Sequence, residues 1–222
     1  MSSSADQIST ALSTRGSKVG FIGIGNMGDP MAGHLVKAGW TVQVYDVDRS
    51  KTERFVANHG GSAAASLEEL GRNANVVITM LLDGHIVEQV LLGRGDQGDG
   101  VLKTLAPGSI IIDMSSSSPI GTRALGAKLA QRGMQFMDAP VSGGVKGAVA
   151  ASLSVMTGGE RALVERCDPL LAPIGRRFHV GSLGSGHAAK VLNNYVSAAG
   201  LAAAAEAVII GHRFGIEPQV LT

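Results

Sequence analysis

KVGFIGIGNMG, residues Lys18 to Gly28, decides how the rest of the chain reads. Val19, Phe21 and Ile22 form a short apolar run of the kind that makes a buried strand. The run ends in Gly23-Ile24-Gly25-Asn26-Met27-Gly28, and a helical pattern begins at once, with Met27, Met31 and Leu35 recurring on one face. A strand feeding G-x-G-x-x-G and then a helix is the turn that binds dinucleotides. Gly23 permits the tight turn. The missing Cβ at Gly25 lets the backbone approach a pyrophosphate, and Gly28 lets the helix pack close to the sheet. The helix start then offers phosphate a set of unpaired N–H groups and a partial positive charge. The chain holds 31 glycines, so the pattern alone is weak and its flanks give it weight.

Working outward, TVQVYD (Thr41 to Asp46) alternates as a second strand and ends in a carboxylate 23 positions after Gly23. That is close to the spacing of about 20 at which an acidic residue takes the ribose hydroxyls. Asp46 would repel a 2′-phosphate, which favours NAD over NADP; Arg49 nearby pulls the other way, and a plain turn or helix-cap role is the alternative for Asp46. Further strands are expected near 75–81, 109–113, 134–138, 153–157 and 177–180, with helices near 50–59, 83–92, 120–132 and 160–171. Ser66 and Glu69 have capping-box spacing. Ser115 to Ser118 precede Pro119, a helix-start signal in which one serine suffices as a cap and the others are placed to touch a cofactor. The alternation defines an α/β protein with a Rossmann-type doubly wound, mostly parallel sheet, helices on both faces and right-handed crossovers.

From about His187 to Phe214 the pattern is one long helix, LAAAAEAVII included, of roughly 40 Å at 1.5 Å per residue. So apolar a helix needs cover on more than one side. Glu217-Pro218 then opens what reads as another helix. Lys190 and Asn194 stand at i and i+4 and share a face. If that face lines a cleft, desolvation lowers the lysine pKa toward the range of an acid–base catalyst; the bland alternative is an exposed lysine at a helix start. The expected organisation is a disordered tail over 1–17, a dinucleotide-binding domain over 18–182, and over 183–222 the long helix with the start of a further domain.

Bulk properties exclude several classes. A net charge of +1 offers no field for nucleic acid or a membrane surface. The polar, Ser/Thr-rich start is no signal peptide, and no apolar run appears long enough to span a bilayer without a glycine or charge break. The single cysteine, Cys167, reads as packing and fits a reducing, cytoplasmic setting. The six histidines lack ligand-like spacing, so no metal site is expected.

Three stretches in order, GIGNMGDPMAGHL, DAPVSGG and GSGHAAKVLNN, resemble the β-hydroxyacid dehydrogenases, the family of 3-hydroxyisobutyrate dehydrogenase and 2-hydroxy-3-oxopropionate reductase. The resemblance covers about residues 18 to 222. It implies hydride transfer between NAD, or NADP, and a small hydroxyacid. Lys190 matches the family's catalytic lysine and Asn194 the substrate-binding asparagine beside it. Ser142, Gly143 and Gly144 match the segment that holds the substrate's carboxylate and hydroxyl. Leu81, Leu82 and Ser116 match cofactor contacts, and Asp46 stands where NADP-preferring members carry an Asn-Arg pair. Family members continue into an all-helical domain that holds a further lysine and much of the dimer interface; this chain stops short of it. The expected partner is therefore a second copy meeting the long helix. A dinucleotide-binding fragment or module without turnover is the alternative. A sugar-phosphate substrate is disfavoured, because Lys146 is the sole basic residue between Gln135 and Gly159.

Overall fold

The computed structural model describes residues 12–13, 16–93 and 100–221. Five strands lie parallel in the order expected for a doubly wound sheet around the first one: β1 (Lys18–Ile22) sits between β2 (Thr41–Tyr45) and β4 (Val76–Thr79), β3 (Ser62–Ala63) borders β2, and β5 (Ile110–Asp113) borders β4. β6 (Gln135–Asp138) continues the parallel set beside β5. Their side chains alternate between two buried layers. Val19, Phe21, Val76, Ile78, Ile110 and Ile112 face one core. Ile22, Val77 and Ile111 face the other. Burial on both faces is what makes such strands read as continuous apolar runs.

Helices fill the crossovers. α1 (Gly28–Lys37) buries Met31, Ala32, Gly33 and Leu35. α2 (Arg49–His59) is capped by Asp48, whose side chain accepts the Ser50 N–H, so the cap in this turn is Asp48 and not Asp46. α3 (Leu67–Asn73) begins at Ser66, whose hydroxyl accepts the Glu69 N–H, while the Glu69 carboxylate reaches back to the Ala65 N–H. α4 (Gly84–Leu92) is capped by Asp83 and α5 (Pro119–Ala130) starts on Pro119. The cap expected of the serine before it is absent: Ser118 makes no side-chain cap hydrogen bond.

Beyond β6 the sheet departs from simple alternation. β7 (Val141–Ser142), α6 (Gly144–Val149) and β8 (Leu153–Gly158) follow, and β8 runs antiparallel to both β6 and β7. Only residues 143–152 join β7 to β8, fewer than the dozen or more that a parallel return needs. The helix expected over 160–171 is two pieces, α7 (Arg161–Arg166) and α8 (Asp168–Leu171), because Pro169 starts a new first turn. β9 (Gly175–Gly181) closes the sheet parallel to β8. Cys167, between α7 and α8, is buried, and burial pushes its thiol up to about 12, as a packing role requires.

α9 (Ser185–Arg213) runs 29 residues, starting two residues earlier than the sequence pattern indicates, after Gly184 in the left-handed conformation. α10 (Pro218–Leu221) follows. Beyond its first turn α9 is almost wholly exposed, with Leu192 63%, Tyr195 71% and Leu201 74% accessible. Gly200 and Gly211 do not interrupt it, and by length and composition α9 is apolar enough to cross a membrane, with the glycine and charge breaks noted in the sequence inside it. Of the expected tail, residues 1–11 and 14–15 lie outside the described residues; Leu12 is not detached, since its N–H donates to the Arg166 carbonyl. The glycine-rich loop at 94–99 also lies outside them.

Candidate functional site

The glycine turn leaves β1 at the point where strand order reverses, between β1 and β4, which is where open α/β sheets bind ligands. Its three glycines answer to three constraints. Gly23 has φ +97°, and a Cβ there would lie 2.3 Å from the Met80 carbonyl oxygen. A Cβ on Gly28 would lie 1.9 Å from the Gly23 carbonyl oxygen. At Gly25 a Cβ would meet nothing within 4 Å, so the space it leaves is open. The N–H groups of Gly25, Asn26 and Met27 make no hydrogen bond to another described residue, and they face the N-terminal end of α1. Free donors, open space and a helix start together fit a pyrophosphate.

A cavity of about 500 Å³ opens beside this turn. Gly23, Gly25, Asn26, Met27 and Gly28 form one wall, Asp46 and Lys51 a second, and Leu81 and Leu82 a third. Ile24, expected to touch a cofactor, does not line this cavity. Its side chain is buried in the core, and its N–H donates to Asp46 Oδ2 at 2.9 Å. Asp46 Oδ1 accepts the Asp48 N–H at 3.0 Å and lies 3.5 Å from Lys51 Nζ. The carboxylate at the end of β2 is thus held in place by the turn it faces. Lys51, one helical turn into α2, is a wall residue that sequence spacing did not single out.

The serines after β5 divide their work. Ser115 Oγ accepts the Leu81 N–H at 2.9 Å, which fixes the backbone behind the third wall. Ser117 Oγ donates to Asp113 Oδ2 at 2.7 Å. Ser116 lines a separate hollow of about 340 Å³ between the starts of α4 and α5, adjoining rather than within the larger cavity. Behind the serines lies a fully buried polar group that the sequence reading missed: Asp113 at the end of β5, Asp138 at the end of β6, Thr122 on α5 and His187 on α9. Asp138 accepts the Gly184 and His187 N–H groups, both at 2.7 Å, and so anchors the start of α9. Burial pushes the Asp138 carboxyl above its ordinary range, against the opposing pull of those two N–H donors and of His187. The signal for Asp113 and Asp138 was present in the sequence, since each ends a strand as Asp46 does.

The residues expected to bind substrate sit elsewhere on the molecule. Ser142 ends β7, paired with Ser154 of β8. Gly143 has φ +131° and Gly144 φ +61°, consecutive conformations that favour glycine and turn their backbone toward an exposed edge. Lys190 and Asn194 are carried on α9, and neither side chain makes a hydrogen bond or ion pair with another described residue. Lys190 is half-buried, and burial holds its ammonium below the usual lysine range. None of these five residues lines the 500 Å³ cavity, so the structure gathers most of the residues expected to bind the dinucleotide beside one cleft and leaves those expected to bind substrate at the β7–α6 turn and on α9.

Residues 18–184 match the family model described as the NAD binding domain of 6-phosphogluconate dehydrogenase. Residues 184–222 match the one described as the NAD-binding region of NADP-dependent 3-hydroxyisobutyrate dehydrogenase. The chain is 38% identical over 205 residues to a 2-(hydroxymethyl)glutarate dehydrogenase of Eubacterium barkeri, covering 92% of this chain and 66% of that protein. It is 40% identical to an NAD-dependent L-serine dehydrogenase of Pseudomonas aeruginosa, with 92% and 67% covered. The solved structure of Mycobacterium tuberculosis 3-hydroxyisobutyrate dehydrogenase with L-serine superposes with a TM-score of 0.83 at 39% identity, over 90% of this chain and 67% of that one. The chain therefore spans about two thirds of the length of the curated relatives it matches.

Proposed function

The chain belongs to the 6-phosphogluconate/3-hydroxyisobutyrate dehydrogenase family, the β-hydroxyacid dehydrogenases, and from that premise we propose that its site transfers a hydride between NAD and a small β-hydroxyacid, with Lys190 as general acid and base. The observation that carries the reading is Lys190 itself: a half-buried amine with lowered pKa and no charged partner among the described residues, one turn from Asn194. The names of the relatives point the same way. 3-Hydroxyisobutyrate, L-serine and 2-(hydroxymethyl)glutarate are each a carboxylate with a hydroxymethyl group on the adjacent carbon. That pattern is the substrate class we assign.

The N–H groups of Gly25, Asn26 and Met27 would hold the pyrophosphate, and Asp46 the adenosine ribose. When bound, the nicotinamide accepts or returns the hydride. In oxidation, neutral Lys190 removes the hydroxyl proton as charge develops on that oxygen; in reduction, its ammonium returns the proton. Asn194, on the same face of α9, orients the amine and the hydroxyl. The backbone at Gly143 and Gly144, with the Ser142 hydroxyl, takes the carboxylate without an arginine. Asp46 would repel a 2′-phosphate, which makes NAD the preferred cofactor and NADP the alternative, with Lys51 and Arg49 as the cations nearest to receive it. We further propose that the exposed face of α9 meets a second copy of the chain and not lipid, since Lys190, Asn193 and Asn194 lie toward its N-terminal end and Glu206 in its C-terminal third, and that the protein works in the cytoplasm.

Proton transfer by a positioned group is worth about 10² to 10⁴ in rate. Lys190→Ala is therefore expected to lower NADH formation from 3-hydroxyisobutyrate or L-serine by that factor while NAD affinity stays within about threefold. Near-normal turnover in the variant removes Lys190 from the chemistry. NAD binding without turnover in the unaltered chain would instead support a dinucleotide-binding module.

A further inference from the structure

His187 is fully buried in the first turn of α9, three positions before Lys190, and the chemistry above gives it no task. Its surroundings are specific. Nε2 lies 3.1 Å from the Ser115 carbonyl oxygen, which can only accept, so this nitrogen carries a hydrogen. Nδ1 lies 2.8 Å from Thr122 Oγ1, and that hydroxyl also lies 3.0 Å from the Ser118 carbonyl oxygen. Two carboxylates flank the ring: Asp113 Oδ2 is 3.7 Å from Nε2 and Asp138 Oδ2 is 3.6 Å from Nδ1. Three elements, β5, β6 and α5, thereby converge on one imidazole at the start of α9.

The same ring joins the two halves of the site. Leu81, in the wall of the dinucleotide cavity, donates its N–H to Ser115 Oγ. The Ser115 carbonyl accepts from His187, and His187 opens the helix that carries Lys190. Resting on the reading of Lys190 given above, we propose that His187 is a positioning residue: it fixes the turn of α9 that carries Lys190 relative to the backbone behind Leu81, and so sets the spacing between the hydride and proton-transfer halves of the site. His187 has no exposed surface and lines neither the 500 Å³ cavity nor the hollow beside it, so it acts through α9 and Ser115 and not on the substrate. Asp138 tethers the backbone at the start of α9 through the Gly184 and His187 N–H groups, and β8, β9 and α5 pack against the helix; the ring of His187 adds the side-chain tie to Ser115 and Thr122 that none of these supplies.

The test reads Lys190 directly. In the 222-residue chain, the pH dependence of Lys190 acetylation, followed by mass spectrometry, is expected to show a midpoint below the ordinary value of 10.5. His187→Leu removes both ring contacts; the midpoint should then climb toward 10.5 as the amine swings into water. His187→Gln, which keeps one N–H for the Ser115 carbonyl, should restore most of the depression. Where turnover is measured, His187→Leu should lower kcat by about ten- to a hundredfold with KM and NAD affinity little changed, the scale of a misplacement near 1 Å. A loss of thermal stability with an unmoved Lys190 midpoint overturns the proposal, because a purely structural histidine predicts that result. Should His187→Leu fail to fold, Thr122→Val decides: a smaller rise in the midpoint, absent in Thr122→Ser, supports the proposal, and no rise overturns it. Failure of the Lys190 reading is separate, since it shows as undiminished turnover in Lys190→Ala whatever His187 does.

Discussion

At the scale of single residues, Gly25 and Gly28 separate binding from folding. A Cβ on Gly28 would sit 1.9 Å from backbone, whereas one on Gly25 would stand in open space. Gly28→Ala should therefore lower the melting temperature sharply and take NAD binding with it. Gly25→Ala should leave melting within a degree or two and weaken NAD at least about tenfold, a loss of about 1.4 kcal/mol, by occupying the room a pyrophosphate needs. Calorimetry of both variants with and without NAD checks this, and equal melting losses would refute it. These glycines were legible because local spacing reports them: strand, turn and helix are contiguous in the chain. Asp113 and Asp138 showed only as strand ends, and their meeting with Thr122 and His187 did not show at all, since the partners lie 49 to 72 positions apart where hydrogen bonds join Asp138 to His187, Thr122 to His187 and Ser115 to His187. Only the order of strands in the sheet brings them together.

At the scale of elements, the sequence fared best where a local rule governs. Ser66 and Glu69 form the reciprocal cap their spacing implies, shifted by one residue at the return bond to Ala65. Ser66→Ala should cost about 1 kcal/mol, read from urea unfolding, because the Glu69 N–H loses its acceptor; a change below a few tenths would mean that α3 is held by packing alone. Elements decided by long-range geometry escaped. β7 and α6 are too short to announce themselves, and the reversal of β8 follows from how little chain connects β7 to it. Ser118 carried the signature of a cap but its side chain makes none, and the start of α5 rests on Pro119, whose fixed φ suits the first helical position.

At the scale of the whole molecule, α9 leaves Leu192, Tyr195, Val196 and Leu201 bare along one long element, an arrangement monomers avoid. The chain is expected to sediment as a dimer or larger species at tens of micromolar, and Leu201→Glu to shift it toward the monomer. A wild-type monomer under those conditions would rule out association through this helix. The hydrogen bond from the Ile24 amide to Asp46 reaches further still. It makes the acid we assign to the ribose a brace of the loop as well, so ancestry constrains preference: a descendant that traded this aspartate away to accommodate a phosphorylated ribose would inherit a loosened turn, and would first have to recruit another acceptor for the amide.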